Sequence, residues 1–90
     1  MYVDTVEITE EWVALSDLMT VSTDPIYIQN RGGTDGQYGV MLVCEGDTTP
    51  EGDIGDIVLP AQRISYLQGE QDLYLRSQQG KIKINITTGK

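Results

Sequence analysis

The chain has 90 residues, with 14 Asp plus Glu against 6 Lys plus Arg and a formal charge of -8. That length suits one small domain, and 39% hydrophobic residues are too many for an obligately disordered chain. The negative charge argues against nucleic acid and anionic membrane surfaces as partners, and the absence of histidine excludes Ser-His-Asp and Cys-His nucleophile systems and imidazole-ligated zinc.

Val, Ile and Thr supply 25 of the 90 residues, a β-branched load that suits pleated sheet and predicts an all-β fold. Residues 1–10, with Tyr2, Val3, Thr5, Val6 and Ile8, read as an extended arm or a strand. Their acidic residues Asp4, Glu7 and Glu10 are unlike the basic start and apolar run of a cleaved export signal, so cytoplasmic synthesis is expected. Over 9–19 two readings compete. Thr9 could cap a helix running through Met19 with Glu10 and Glu11 in its first turn, but Trp12, Leu15, Leu18 and Met19 make only a short apolar stripe, and strands are preferred.

Pro25 opens an alternating run in which Ile26 and Ile28 point to the core. Arg31 to Gly39 is glycine-rich but lacks the Gly-Lys-Ser/Thr ending of a phosphate cradle, and it reads as a flexible hairpin loop between strands ending near Asn30 and starting near Val40. Val40 to Cys44 is almost continuously apolar, as in a strand covered on both faces, which raises the expectation that Met41 and Val43 meet a partner. The segment 45–56 holds five carboxylates, Glu45, Asp47, Glu51, Asp53 and Asp56, interleaved with glycine. Such a segment could ligate calcium, but the spacing lacks the regular Asp-x-Asp-x-Asp-Gly pattern ending in a bidentate Glu, and it reads as a solvated acidic loop, with no metal or cofactor.

Ile57 to Leu59 and Ile64 to Leu67 make two shorter strands parted by Pro60. Near the C-terminus, Asp72-Leu73-Tyr74-Leu75-Arg76 and Lys81 to Thr87 both alternate, with Ile82, Ile84 and Ile86 inward, and the intervening Ser77-Gln78-Gln79-Gly80 suggests a β-hairpin over 72–87. Tyr74 and Arg76 then share an outer face and join Met41 and Val43 as candidate partner contacts. Cys44, without a second cysteine or a basic neighbour, reads as a small buried hydrophobe, and Asn85-Ile86-Thr87 matches the glycosylation pattern only by chance. No catalytic residues emerge. About seven short strands with loops predict a single domain over 1–90, with its core in 11–87, folded as a small antiparallel β-sandwich or barrel.

Glu11-Trp12-Val13-Ala14-Leu15-Ser16, Asp24 to Gly32, and Asp72-Leu73-Tyr74-Leu75-Arg76-Ser77 followed by Gly80, Ile82, Ile84 and Ile86 together resemble small β-sandwich proteins of tailed bacteriophage virions, a likeness that spans roughly 11–87. Tyr74 stands where tryptophan is also expected, and the 45–56 loop is longer than the family's pattern. The resemblance implies a non-enzymatic virion structural protein, first of all a capsid decoration protein, synthesised in the host bacterial cytoplasm and housed in the virion. It further implies contact with other virion proteins, such as the major capsid protein, and a homo-oligomer, for which a trimer is expected. A collar or tail component, or a carbohydrate- or receptor-binding module, is the alternative.

Overall fold

A computed structural model describes residues 3–19, 25–34, 36, 38–52, 55–66 and 71–88. The strands are β1 (Val3–Ile8), β2 (Val13–Ala14), β3 (Ile26–Gly33), β4 (Met41–Gly46), β5 (Asp56–Val58), β6 (Arg63–Tyr66), β7 (Asp72–Ser77) and β8 (Ile82–Thr88), with one short helix, α1 (Leu15–Leu18). They form two four-stranded sheets of order β1-β8-β3-β6 (sheet A) and β2-β7-β4-β5 (sheet B), and every pairing is antiparallel. This strand order is that of an eight-stranded jelly roll, two sheets linked by Greek-key crossings.

The fold is therefore a sandwich and not a barrel, with eight strands among the described residues where about seven are expected. Residues 9–19 divide between the two readings: Val13–Ala14 is a strand edge on β7, and Leu15–Leu18 is one helical turn with no side-chain cap at its start. So short a helix has no apolar stripe of its own, and it is held because Leu15 is fully buried and Ser16 Oγ donates to Asp72 Oδ2 at 2.6 Å.

The core lies between the sheets. Sheet A contributes Ile8, Ile26, Ile28, Tyr66, Ile82, Ile84 and Ile86, and sheet B contributes Met41, Val43, Val58, Leu73 and Leu75. The alternation in the sequence therefore chose the inward faces correctly, since Ile82, Ile84, Ile86, Leu75, Ile26 and Ile28 are all fully buried.

Three expectations about connections are corrected. The segment 72–87 is not a hairpin, because β7 pairs with β2 and β4 while β8 pairs with β1 and β3. The two strands lie in opposite sheets that share one core, so both bury an apolar set, which edge-paired strands of one sheet would do equally well. The turn between them is tied back by Ser77 N–H donating to the Thr9 carbonyl at 2.8 Å and Gly80 N–H donating to Glu10 Oε2 at 2.9 Å. The 31–39 loop likewise crosses from sheet A to sheet B instead of closing a hairpin. Its ends are pinned: Gly33 N–H donates to the Tyr38 carbonyl, and Gly39, at φ +89°, packs so tightly that a Cβ there would overlap the Gly33 backbone. Finally, the apolar run at β4 is covered by its own chain, with Met41, Leu42 and Val43 at 0%, 2% and 7% exposure in the single chain, so no partner is needed to bury it.

Candidate functional site

The candidate contacts separate by face. Met41 and Val43 project into the core, opposite Ser77 and Leu75 on β7; Met41 is fully buried, and Val43, at 7% exposure, lines the floor of a cleft beside β5. Tyr74 and Arg76 do share the outer face of sheet B, where they pair in register with Cys44 and Leu42. Arg76 is already engaged within the chain. Its guanidinium sits over the Trp12 ring at 5.8 Å from the centroid, its Nε donates to the Ser77 carbonyl at 3.0 Å, and its Nη1 reaches the Gly52 carbonyl at 3.4 Å.

Trp12 completes this arrangement by donating from Nε1 to the same Gly52 carbonyl at 3.1 Å. The acidic loop thus folds back over sheet B, held at Gly52 by an indole and a guanidinium. Trp12, an apolar-stripe residue of 9–19, is not a core residue. Instead it stands half-buried on the outside, where its amphipathic ring anchors a loop while keeping its N–H satisfied.

At one corner the chain exposes large apolar side chains: Tyr38 at 68%, Ile57 at 61% and Leu59 at 39%. Asn30 explains why these come from one place, since its Nδ2 donates to the Gly39 carbonyl at 2.7 Å and to the Val58 carbonyl at 2.9 Å and so holds the two backbones side by side. Strand β5, which carries Ile57, is the edge of sheet B, and β6 is the edge of sheet A. Between these edges opens a cleft of about 250 Å³ lined by Cys44, Glu45, Asp56, Ile57, Ile64 and Tyr66, among others, an apolar floor with an acidic rim. A second cleft of similar size lies on the opposite side, between β1 and Trp12.

The outer face of sheet A has the contrary character. Thr5, Glu7, Tyr27, Gln29, Arg31, Arg63, Ser65, Lys83 and Asn85 occupy its outward register positions, and Arg63 lies 5.2 Å from the centroid of the Tyr27 ring. None of these cations was singled out from the sequence, because they sit on three strands far apart along the chain and only pairing unites them.

Among the described residues, no group of three or more His, Cys, Asp or Glu side chains gathers as a metal site. Asp53, one of the carboxylates weighed for calcium, lies outside the described residues. Cys44 is half-buried, with its thiol directed at the Glu45 carbonyl at 3.6 Å. No helix among the described residues is long and apolar enough to cross a membrane. No family model, curated protein or solved structure matches the chain.

Proposed function

We propose that the chain is a non-enzymatic structural protein of a tailed-bacteriophage virion, a capsid decoration protein ahead of a collar or tail component. The observation that carries this reading is the strand order itself: an eight-stranded jelly roll is an architecture recurrent in viral capsid proteins, and it is joined here to the short segments over 11–87 that resemble phage virion proteins. Fold alone does not assign function, since lectin domains share the architecture. The open polar face of sheet A, with Tyr27 stacked beneath Arg63, is what keeps a carbohydrate- or receptor-binding module as the second reading.

In this role the protein acts by contact. The exposed corner of Tyr38, Ile57 and Leu59 beside edge strand β5 is the surface assigned to self-association, with a trimer as the expected stoichiometry. Cryo-electron microscopy of the parent particle tests the assignment. Density for a 10.0 kDa sandwich at regular positions on the capsid lattice is the expected result. Particles that lack it, while the protein is found free in the infected cell, would overturn the virion reading.

A further inference from the structure

The acidity of the molecule is unevenly distributed. Of its 6 Lys plus Arg, Arg31, Arg63 and Lys83 stand at outward positions of sheet A, and Lys81 adjoins the start of β8. Among the described residues, Glu7 is the one carboxylate at an outward position of that sheet, and Lys81 Nζ already faces it at 3.8 Å. A chain of charge -8 thus presents one cationic face.

Arg31 is placed by a specific device. In β3, Asn30 pairs with Ile84 and Gly33 with Ile82, so β3 carries one more residue than β8 over this stretch, a β-bulge at Arg31 and Gly32. Gly32 takes φ +94°, and its N–H donates to Asn30 Oδ1 at 2.7 Å, while the Asn30 side chain is fully buried and bonded to two further carbonyls. A bulge of this kind redirects the side chain beside it. The result is a shallow hollow of about 280 Å³ on the sheet face, lined by Thr5, Arg31, Lys83 and Asn85. Thr5 Oγ1 donates to Asn85 Oδ1 at 2.9 Å, which turns the carboxamide oxygen toward Thr5 and leaves the amino end of Asn85 as the donor directed elsewhere.

We infer that this face docks an acidic protein surface, with the hollow between Arg31 and Lys83 receiving a partner carboxylate. A guanidinium offers a carboxylate two parallel N–H donors, an ammonium adds a point charge, and the Asn85 amide supplies a neutral donor, while Glu7, the cross-strand partner of Lys83, is the carboxylate a partner competes with. The remaining negative charge of the molecule does not cancel it. The described carboxylates of the 45–56 loop are on the side of sheet B and face solvent, where ions screen exposed charges over about 8 Å at physiological ionic strength. A four-stranded face that also carries Arg63, stacked on Tyr27, offers more contact to a protein surface than to a single small ligand. The inference goes beyond the virion reading, since an acid-binding sheet serves any assembly partner.

Titration of the ¹⁵N-labelled protein with a capped octaglutamate peptide at 0.15 M salt tests it. Saturable amide shifts confined to β1, β3 and β8 around Thr5, Arg31, Lys83 and Asn85 are expected, with affinity reduced at least tenfold in the Arg31→Glu/Lys83→Glu double variant. Should that variant not fold, Arg31→Gln/Lys83→Gln gives the same reading through a smaller charge change, with an expected loss of at least threefold. Absence of shifts at millimolar peptide, or an affinity unchanged in a folded double variant, overturns the proposal. So does tighter binding of inorganic phosphate or of a short single-stranded DNA than of the peptide, which would make the hollow a phosphate site.

Discussion

Replacing Asn30 by leucine preserves the volume of a fully buried side chain and removes three hydrogen bonds, those to the Gly39 and Val58 carbonyls and from Gly32 N–H. Each buried group left unpaired costs about 1–3 kcal/mol, so Asn30→Leu is expected to lose about 3 kcal/mol or more, a large part of the stability of a small domain. Urea unfolding reads the loss, and an unchanged midpoint would mean that the 31–39 and 58–62 loops are held by other contacts. A residue change in the opposite direction is available at Leu59-Pro60-Ala61-Gln62. Gln62 N–H donates to the Leu59 carbonyl at 3.0 Å and Ala61 sits at φ +73°, so proline and a left-handed residue fill the two central positions of a type II turn, where glycine is favoured second. Ala61→Gly relieves the left-handed penalty and is expected to stabilise by up to about 1 kcal/mol, a rise of several degrees in melting temperature.

Among the elements, the strand faces are checked by contrast. Leu75→Ala and Ile84→Ala remove fully buried side chains from opposite sheets and should each cost about 2–5 kcal/mol, whereas exposed Lys83→Ala should cost less than about 0.5 kcal/mol. Denaturant melts in the reverse order would show the faces to be exchanged. Trp12→Phe keeps a ring beneath Arg76 but deletes the donor to Gly52, and the expected outcome is a loss of about 1 kcal/mol with faster proteolytic nicking between Asp47 and Gly52. These same elements show what the sequence could and could not tell. Period-two alternation identified Ile82, Ile84, Ile86, Leu73 and Leu75 as inward because it reports a strand's face, but it is blind to which sheet the strand joins. Strands β7 and β8 were therefore read as edge neighbours. Asn30 resembled the polar end of an alternating run, since nothing local marks a side chain whose partners lie at Gly39 and Val58. The direction of Arg31 depends on a bulge defined by pairing with β8, and an apolar run such as Met41 to Val43 does not itself say whether its cover comes from a partner or from the chain's own second sheet.

At the scale of the whole molecule, charge and apolar surface pull against each other. If self-association uses Tyr38, Ile57 and Leu59, the interface is apolar while each copy carries -8, so higher salt should strengthen assembly by screening repulsion. Light scattering coupled to size exclusion at tens of micromolar measures this, and a sharp monomer in both low and high salt would remove the oligomer from the proposal. Calcium at 1–5 mM is expected to leave the melting temperature within about a degree, because an ion bound only to the native state would raise it with concentration. A rise of several degrees that vanishes in Asp56→Ala would establish an ion site in the acidic loop.

The pairing of β1 with β8 also sets a timetable for biosynthesis. Among the described strands of sheet A, Val3–Ile8 has a single neighbour, the strand Ile82–Thr88, so it leaves the ribosome long before its hydrogen-bonded partner does. At roughly 5–20 residues per second that wait lasts several seconds, during which Val6 and Ile8 belong to an unpaired β-prone segment beside other nascent copies. Asp4 and Glu7, interspersed among Val3, Val6 and Ile8, put two negative charges on that segment. Like charges on waiting copies of this segment repel one another, which opposes their mutual pairing before the proper partner has been made.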